Sequence, residues 1–408
     1  MNSGNRLLNL ILRGLSLSCK FLLVFALARM LSGADFGLYN LIVVTTTFVL
    51  YLYGLDFYTF ASREMILVSE QKRPFIVYNQ LALYIFTYFL ISPFLLILFF
   101  SGKLSWNLLP LFLSIAILQH LAQEINRLLI NLFAPLWASF ILFIRSGLWC
   151  LALIICMFFF PNLRTLHMVF YFWIAGLILA IIVSYYKLYQ MGLPIQYMGM
   201  PDIKWIKKGL IIALPFLLGT LSLNAISVID RYWIENHFNL SLVGVYGFFA
   251  SLTGAILTAL DATIFSFTYP KLIKAVGESP AAFQTEYRLF RKHTLIAVGL
   301  FSILLLTGIY PIVLWLNNDL YLQYIAVFFI LLLSNIFIAL SMIAHYALYA
   351  QKHDKPIVIA HILSVIILII SLLIFARTHY LAVAVSVCIT SLFLFVFKHY
   401  CFWQKHVQ

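Results

Sequence analysis

Asn9, Arg13, Ser16 and Lys20 follow one another at spacings of four, three and four residues. On a helix that turns about 100° per residue they form a single polar stripe. The stretch that holds most of them, LILRGLSLSCKFLLVFALARM from Leu10, is otherwise oily enough to sit in lipid. His120, Glu124, Arg127 and Asn131 repeat the arrangement further on, with Gln123 beside them, and Arg145 lies inside the next apolar run. Arg13, Lys20, Arg127 and Arg145 therefore stand against two carboxylates, Glu124 and Asp56, in the apolar runs of the first half. A Lys or Arg at a membrane helix centre costs about 2.5 to 3.5 kcal/mol, so such a group faces water or a partner. A wet lumen with surplus positive charge selects an anion. Guanidinium groups favour phosphate, because their planar fork donates two hydrogen bonds at once.

Bland roles compete with this reading. Glu124 and Arg127 have the spacing of a neutralising pair on one helix turn, which leaves Lys20 and Arg145 without an acid. Arg29 lies near the outer end of its segment and can snorkel to headgroups, and Arg13 has the same escape at the other end. The second half is poorer in deep polar groups, with Asn224, Asp230, Arg231 and Asp261 as its main ones. Asp56 and Asp261 are candidates for binding a coupling ion or forming a gate. A helix cap or a structural hydrogen bond explains them equally well.

Positioning these residues requires a membrane. Of the 408 residues, 64% are hydrophobic and 10% charged, far from the roughly quarter-charged balance of soluble domains. A bilayer core about 30 Å thick needs roughly 20 apolar residues per helix. Twelve such segments are predicted, over 7–31, 38–60, 76–101, 108–131, 136–160, 168–190, 208–230, 242–268, 294–316, 321–350, 356–376 and 380–399. They are apolar all round, not alternating over about ten residues as strands of a membrane barrel would be. The predicted fold class is an all-α polytopic membrane protein, arranged as an amino-terminal six-helix lobe (1–190), a cytoplasmic loop rich in Gly, Pro and Met (191–207) and a carboxy-terminal six-helix lobe (208–408).

With the amino end in the cytoplasm, the inner loops collect 17 Lys and Arg: Arg6, Arg63, Lys72, Arg73, Lys187, Lys204, Lys207, Lys208, Lys271, Lys274, Arg288, Arg291, Lys292, Lys352, Lys355, Lys398 and Lys405. The outer side holds Lys103, Arg164, Arg231 and Arg377. This bias places both termini in the cytoplasm. It accounts for most of the net charge of +13 without nucleic acid, for which the chain has no recognition module. Ala26-Leu27-Ala28 fits a cleavage pattern, but the long apolar stretch interrupted by Arg13 and Lys20 reads as an uncleaved first helix. Cys19, Cys150, Cys156, Cys388 and Cys401 contain no CxxC pair. Neither disulfides nor a metal site is implied.

Two weak self-similarities share nearly one period. Phe36-Gly37-Leu38-Tyr39 matches Val243-Gly244-Val245-Tyr246 at an offset of 207, and Leu55-Asp56 with Phe60 matches Leu260-Asp261 with Phe265 at 205. Six segments separate the copies, so the halves are expected to be parallel repeats related by an axis along the membrane normal. Such an arrangement would set a substrate path between two bundles. Pro93 and Pro215 provide for bends.

ALARMLSGADFGLYNLIVV at 26–44, YGLDFYTFASRE at 53–64 and FSFTYPKL at 265–272 resemble segments of the polysaccharide flippases of the multidrug/oligosaccharidyl-lipid/polysaccharide (MOP) exporter superfamily, and among them the Wzx-type O-antigen flippases. The resemblance covers the full chain in length and segment count. It implies a two-lobed, V-shaped, MATE-like exporter in the bacterial inner membrane, moving an undecaprenyl-pyrophosphate-linked oligosaccharide from the cytoplasmic to the periplasmic leaflet. It also implies a cationic cavity, no catalytic residues and no cofactor, leaves open whether a coupling ion, proton or sodium, takes part, and offers a polysaccharide polymerase and chain-length regulator as candidate partners. Arg13, Lys20, Arg127 and Arg145 fit that cavity by their own spacing.

Two other functions are weighed. A multidrug or cation antiporter of the same fold calls for an acidic or aromatic cavity, against which the excess of Arg and Lys argues. An O-antigen polymerase or ligase would be an enzyme of similar size and hydropathy. The outer loops here are short, and no nucleophile, metal cluster or phosphate-cradling glycine loop is present to serve one.

Overall fold

The computed structural model describes residues 3–193, 199–376 and 379–407. Residues 194–198 of the expected inter-lobe loop and Arg377 lie outside them, as does the side chain of Arg6. Among the described residues, twelve helices are long and apolar enough to cross a membrane, which makes the chain a multi-pass membrane protein. They are α1 (Leu7–Met30), α2 (Gly33–Gly54), α3 (Glu70–Phe100), α4 (Trp106–Asn131), α5 (Pro135–Phe159), α6 (Leu166–Gln190), α7 (Ile203–His237), α8 (Leu240–Glu278), α9 (Pro280–Leu316), α10 (Ile325–Ala350), α11 (Asp354–Phe375) and α12 (Leu381–Lys405). No strand occurs among the described residues. Local chemistry sets several ends. Asn239 caps the start of α8 by accepting from the Leu242 amide at 2.8 Å, and Ser279 caps α9 through the Ala282 amide at 3.1 Å, with Pro280 in its first turn. Asn317 closes α9 in the left-handed region at φ 52°.

Three expectations are corrected. The second segment is not one helix over 38–60, because the chain leaves helical geometry at Leu55 and Asp56, both with φ 49°, and resumes as a short helix over Tyr58–Leu67. The equivalent point in α8 departs too, as a π-helical turn over Asp261–Phe265. The two Leu-Asp pairs thus mark interruptions in both halves. Arg231 and Lys398, expected in loops, lie inside α7 and α12 and are buried. Arg231 directly follows the predicted segment 208–230 and Lys398 is the penultimate residue of 380–399, and at a segment end hydropathy does not separate a loop charge from a helical one.

A β-branched side chain with positive φ is a steric outlier, whereas glycine adopts that region freely. Leu55→Gly is therefore expected to leave the melting temperature of the detergent-solubilised protein unchanged or higher, while Leu55→Val lowers it. Equal losses in both would refute strain at this break.

Contacts divide the chain into two compact units: Met1–Leu31 with Ile42–Leu217, and Ser32–Leu41 with Leu218–Gln408. In the first, Phe57, Phe60 and Trp205 form an aromatic box, with ring centroids 5.0 to 5.6 Å apart. Gly209 lies against it so tightly that a Cβ there would fall 2.4 Å from Phe57 and Phe60. Trp149 stacks on Trp173 at 5.8 Å, seated over Gly176. In the second unit the start of α2 crosses the start of α8 through glycines. A Cβ on Gly37 would lie 1.8 Å from the Leu240 carbonyl oxygen, and one on Gly244 would lie 2.9 Å from the Gly33 carbonyl oxygen. The two contacts are exchanged by the offset of 207, so the crossing has the local two-fold character that the repeat implies. With lipid as apolar as leucine, close packing and hydrogen bonds between helices supply the association energy. Here these include Ser334 with Ser391 at 2.8 Å and Asn335 to Thr253 at 3.0 Å.

Candidate anion-binding site

The polar stripe of α1 faces α5. Arg13 donates from Nε to Ser139 Oγ at 3.0 Å, and Ser139 in turn donates to Asn9 Oδ1. Ser16 satisfies itself on the Leu12 carbonyl at 2.7 Å. Gly147 makes the approach close: a Cβ there would be 2.9 Å from Phe143 and 3.2 Å from the Ser16 Cα. Lys20 is exposed, one turn beyond Ser16, with Arg145 and Cys150 of α5 in electrostatic reach.

Arg145 stands on a π-helical turn, Ile144–Leu148, set within α5. Such a turn re-aims the side chains that follow it, and π-turns are common at functional sites. Its carbonyl accepts from Trp149 Nε1 at 2.8 Å. The side chain is 9% exposed, and its Nε and Nη1 have no hydrogen-bond partner. A buried guanidinium with empty donors is costly, and in a membrane it marks a ligand or a water-filled path.

Arg127 and Glu124 form the ion pair that their spacing allowed, Arg127 Nη1 on Glu124 Oε1. Tyr84 donates to Glu124 Oε2 at 2.6 Å and Gln80 to the same oxygen at 3.0 Å, so the buried carboxylate is saturated. The Arg127 guanidinium also lies 3.5 Å from the centroid of the Tyr58 ring. A cavity of about 220 Å³ between α3, α4 and α6 is bordered by Gln80, Tyr84 and Glu124, with Leu128, Ile181 and Tyr185 on its apolar wall.

His120 is buried beside this network, with Nδ1 on the Tyr88 hydroxyl at 2.6 Å, Tyr53 and Tyr84 around its ring, and Nε2 unpartnered. Asp56 is buried at the break after α2, and Asp261 is exposed at the π-turn of α8. Asn224 spends its amide on its own helix, donating to Thr220 at 2.8 Å. Asp230 pairs with Arg231 at 3.2 Å and accepts from Tyr246 at 2.8 Å. No group of three or more His, Cys, Asp or Glu able to hold a metal occurs among the described residues.

The structure therefore splits the expected cationic set. Arg127 is neutralised within its helix, Arg13 is tied to Ser139, and Lys20 with Arg145 share a neighbourhood in which neither forms an ion pair with a described residue. Ser139, Gln80, Tyr84 and Tyr58 escaped the sequence reading. Gln80 and Tyr84 are one helical turn apart, the only signal that they act together.

The fold is similar to that of solved MATE transporters. The chain is similar to an inward-facing multidrug resistance MATE family transporter of the MOP superfamily, at 12% identity and TM-score 0.70, covering 97% of this chain and 95% of the other. It is similar to an outward-facing one at 13% identity and TM-score 0.65, with 99% of each covered. A MOP superfamily transporter from Pyrococcus furiosus, described as having a binding pocket whose reverse polarity suggests a different function, aligns at 12% identity and TM-score 0.60 over 99% of this chain and 98% of that one. No protein-family model matches the sequence, and no curated protein matches it.

Proposed function

We propose that this chain is a transporter that carries a lipid-linked oligosaccharide across the bacterial inner membrane, from the cytoplasmic to the periplasmic leaflet. The substrate class is an undecaprenyl-pyrophosphate-linked O-antigen or related repeat unit, and both termini are cytoplasmic. The observation that carries this reading is Arg145, buried with two unpartnered guanidinium nitrogens and with Lys20 in electrostatic reach. A diphosphate supplies the missing acceptors and charge, with the guanidinium taking it through two donors and the ammonium as a point charge. The polyprenyl tail stays in lipid while the six-helix lobes exchange access. Moving negative charge out across an inside-negative membrane gains about 2.3 kcal/mol per charge per 100 mV.

The fold neighbours support transport. The neighbour whose binding pocket is described as reversed in polarity supports a departure from multidrug export. An antiporter for organic cations is the second reading, favoured by the apolar-walled cavity with Glu124 at its edge. Saturation of Glu124 by Arg127, Tyr84 and Gln80 weighs against it.

The test is transport of a labelled polyprenyl-pyrophosphate oligosaccharide in proteoliposomes, comparing wild type with Lys20→Ala and Arg145→Ala. Unchanged transport in both variants rejects the site. Transport of organic cations with no glycolipid activity favours the antiporter.

A further inference from the structure

A second cluster of basic side chains lies in the other unit, remote in sequence from the first. Lys398 on α12 is 2% exposed and His361 on α11 is 5% exposed. His345 on α10 stacks on His361, with ring centroids 6.0 Å apart and planes 14° from parallel. His361 hydrogen-bonds the Gly219 backbone of α7, and its Nε2 is buried without a partner, as is Nδ1 of His345. Lys398 reaches both rings electrostatically.

Among the described residues, no carboxylate acts on the three groups of the cluster. His399, next to Lys398, spends Nδ1 on the Phe395 carbonyl of its own helix at 2.9 Å. Tyr346, next to His345, packs on Phe265 of α8 and Phe290 of α9, and Asp261 of α8 acts on Tyr346 and on none of the three basic groups. From α7 the Gly219 backbone is presented. Among the described residues no carboxylate pairs with Lys398.

This composition is unusual for a structural polar cluster. Buried ammonium groups ordinarily have a carboxylate, and ionisable groups inside a membrane mark ion or proton paths. Here the titratable groups that the ammonium reaches electrostatically are two imidazoles, each with one buried ring nitrogen that has no hydrogen-bond partner. One proton gives the cluster a single charge; a second adds like charge with nothing to offset it. We propose that Lys398, His361 and His345 form a proton site in the second unit, which takes up and releases one proton and supplies the coupling ion for transport. The coupling role rests on the transport reading above, whereas the proton site itself does not.

Two measurements separate these claims. In the first, proton uptake by the purified full-length protein in detergent is titrated between about pH 8 and pH 5, the range in which imidazole charge ordinarily changes. Lys398→Met is expected to take up about one proton fewer than wild type, and His361→Gln to shift the midpoint of uptake, because the proton is shared by interacting groups. Equal uptake by wild type and both variants overturns the proton site. In the second, glycolipid transport is measured in proteoliposomes with and without an imposed pH gradient. The gradient is expected to accelerate wild type and to leave both variants at their gradient-free rate. A gradient response retained in both variants overturns the coupling role. If wild type transports no glycolipid at all, the transport reading fails with its coupling role, and the titration alone decides the proton site.

Discussion

Gly37→Leu is expected to abolish recovery of monodisperse protein from detergent, the largest stability effect of any single substitution considered. A Cβ at this position would fall 1.8 Å from the Leu240 carbonyl oxygen and 2.7 Å from its carbonyl carbon. Both atoms are backbone, so no rotamer change relieves the overlap. The helices must separate, and separation also strips Gly244 from the Gly33 carbonyl and Gly247 from Asn40, whose side chain lies 2.2 Å from where a Cβ on Gly247 would be. Overpacking a well-fitted site costs about 1 to 3 kcal/mol when side chains can give way, and here they cannot. Gly254→Ala is the control, since nothing lies within 4 Å of its Cβ position. Alanine gains up to about 1 kcal/mol in helix propensity, so that variant is expected to melt no lower than wild type. Normal folding of Gly37→Leu would mean that the close crossing of α2 and α8 is not required.

Arg145→Ala is expected to lower glycolipid transport by roughly one to two orders of magnitude, from the loss of a charge-assisted contact of about 1.5 to 3 kcal/mol. Arg145→Glu should lower it further, because the substituted carboxylate repels a diphosphate. Arg145→Lys is expected to fall between, since an ammonium keeps the charge but loses the planar fork. The stability readout moves the opposite way. Arg145 is 9% exposed with two empty donors, and replacing an unpaired buried cation by an apolar side chain of similar length removes a desolvation cost. Arg145→Met is expected to melt higher than wild type while losing transport. Melting that falls together with transport would assign Arg145 a structural role.

How much of this was legible in the sequence depends on which physical signal carries each feature. The twelve helices were, because a span of apolar residues matched to lipid thickness is a strong and local pattern. The spacing of Glu124 and Arg127 also announced its pair. The break at Leu55 and Asp56 was not legible: hydropathy runs through it, and a φ of 49° is a backbone fact that Leu and Asp do not advertise. Arg231 and Lys398 were misplaced because a charge near the end of an apolar run is indistinguishable from a loop charge until the tertiary fold buries it. His345 and His361 are 16 residues apart on neighbouring helices, so only the packing of α10, α11 and α12 brings them together. The partners of Glu124 were hidden for the same reason, since Gln80 and Tyr84 come from α3.

The π-turn in α5 has a further consequence. Such a turn holds one residue more than the α-turn it replaces, so Ile144–Leu148 has the geometry of a single-residue insertion. Deleting one residue there would restore regular winding and leave the two flanking halves nearly in phase, because the wide turn completes about the same rotation with one residue more. Trp149, which follows the turn, would keep its seat over Gly176, whereas Arg145, which stands within it, would be re-aimed. A lineage that lost this extra residue would keep the tryptophan stack and give up the placement of the guanidinium, so the one place where α5 can change length without disturbing its packing is the place that sets its charge.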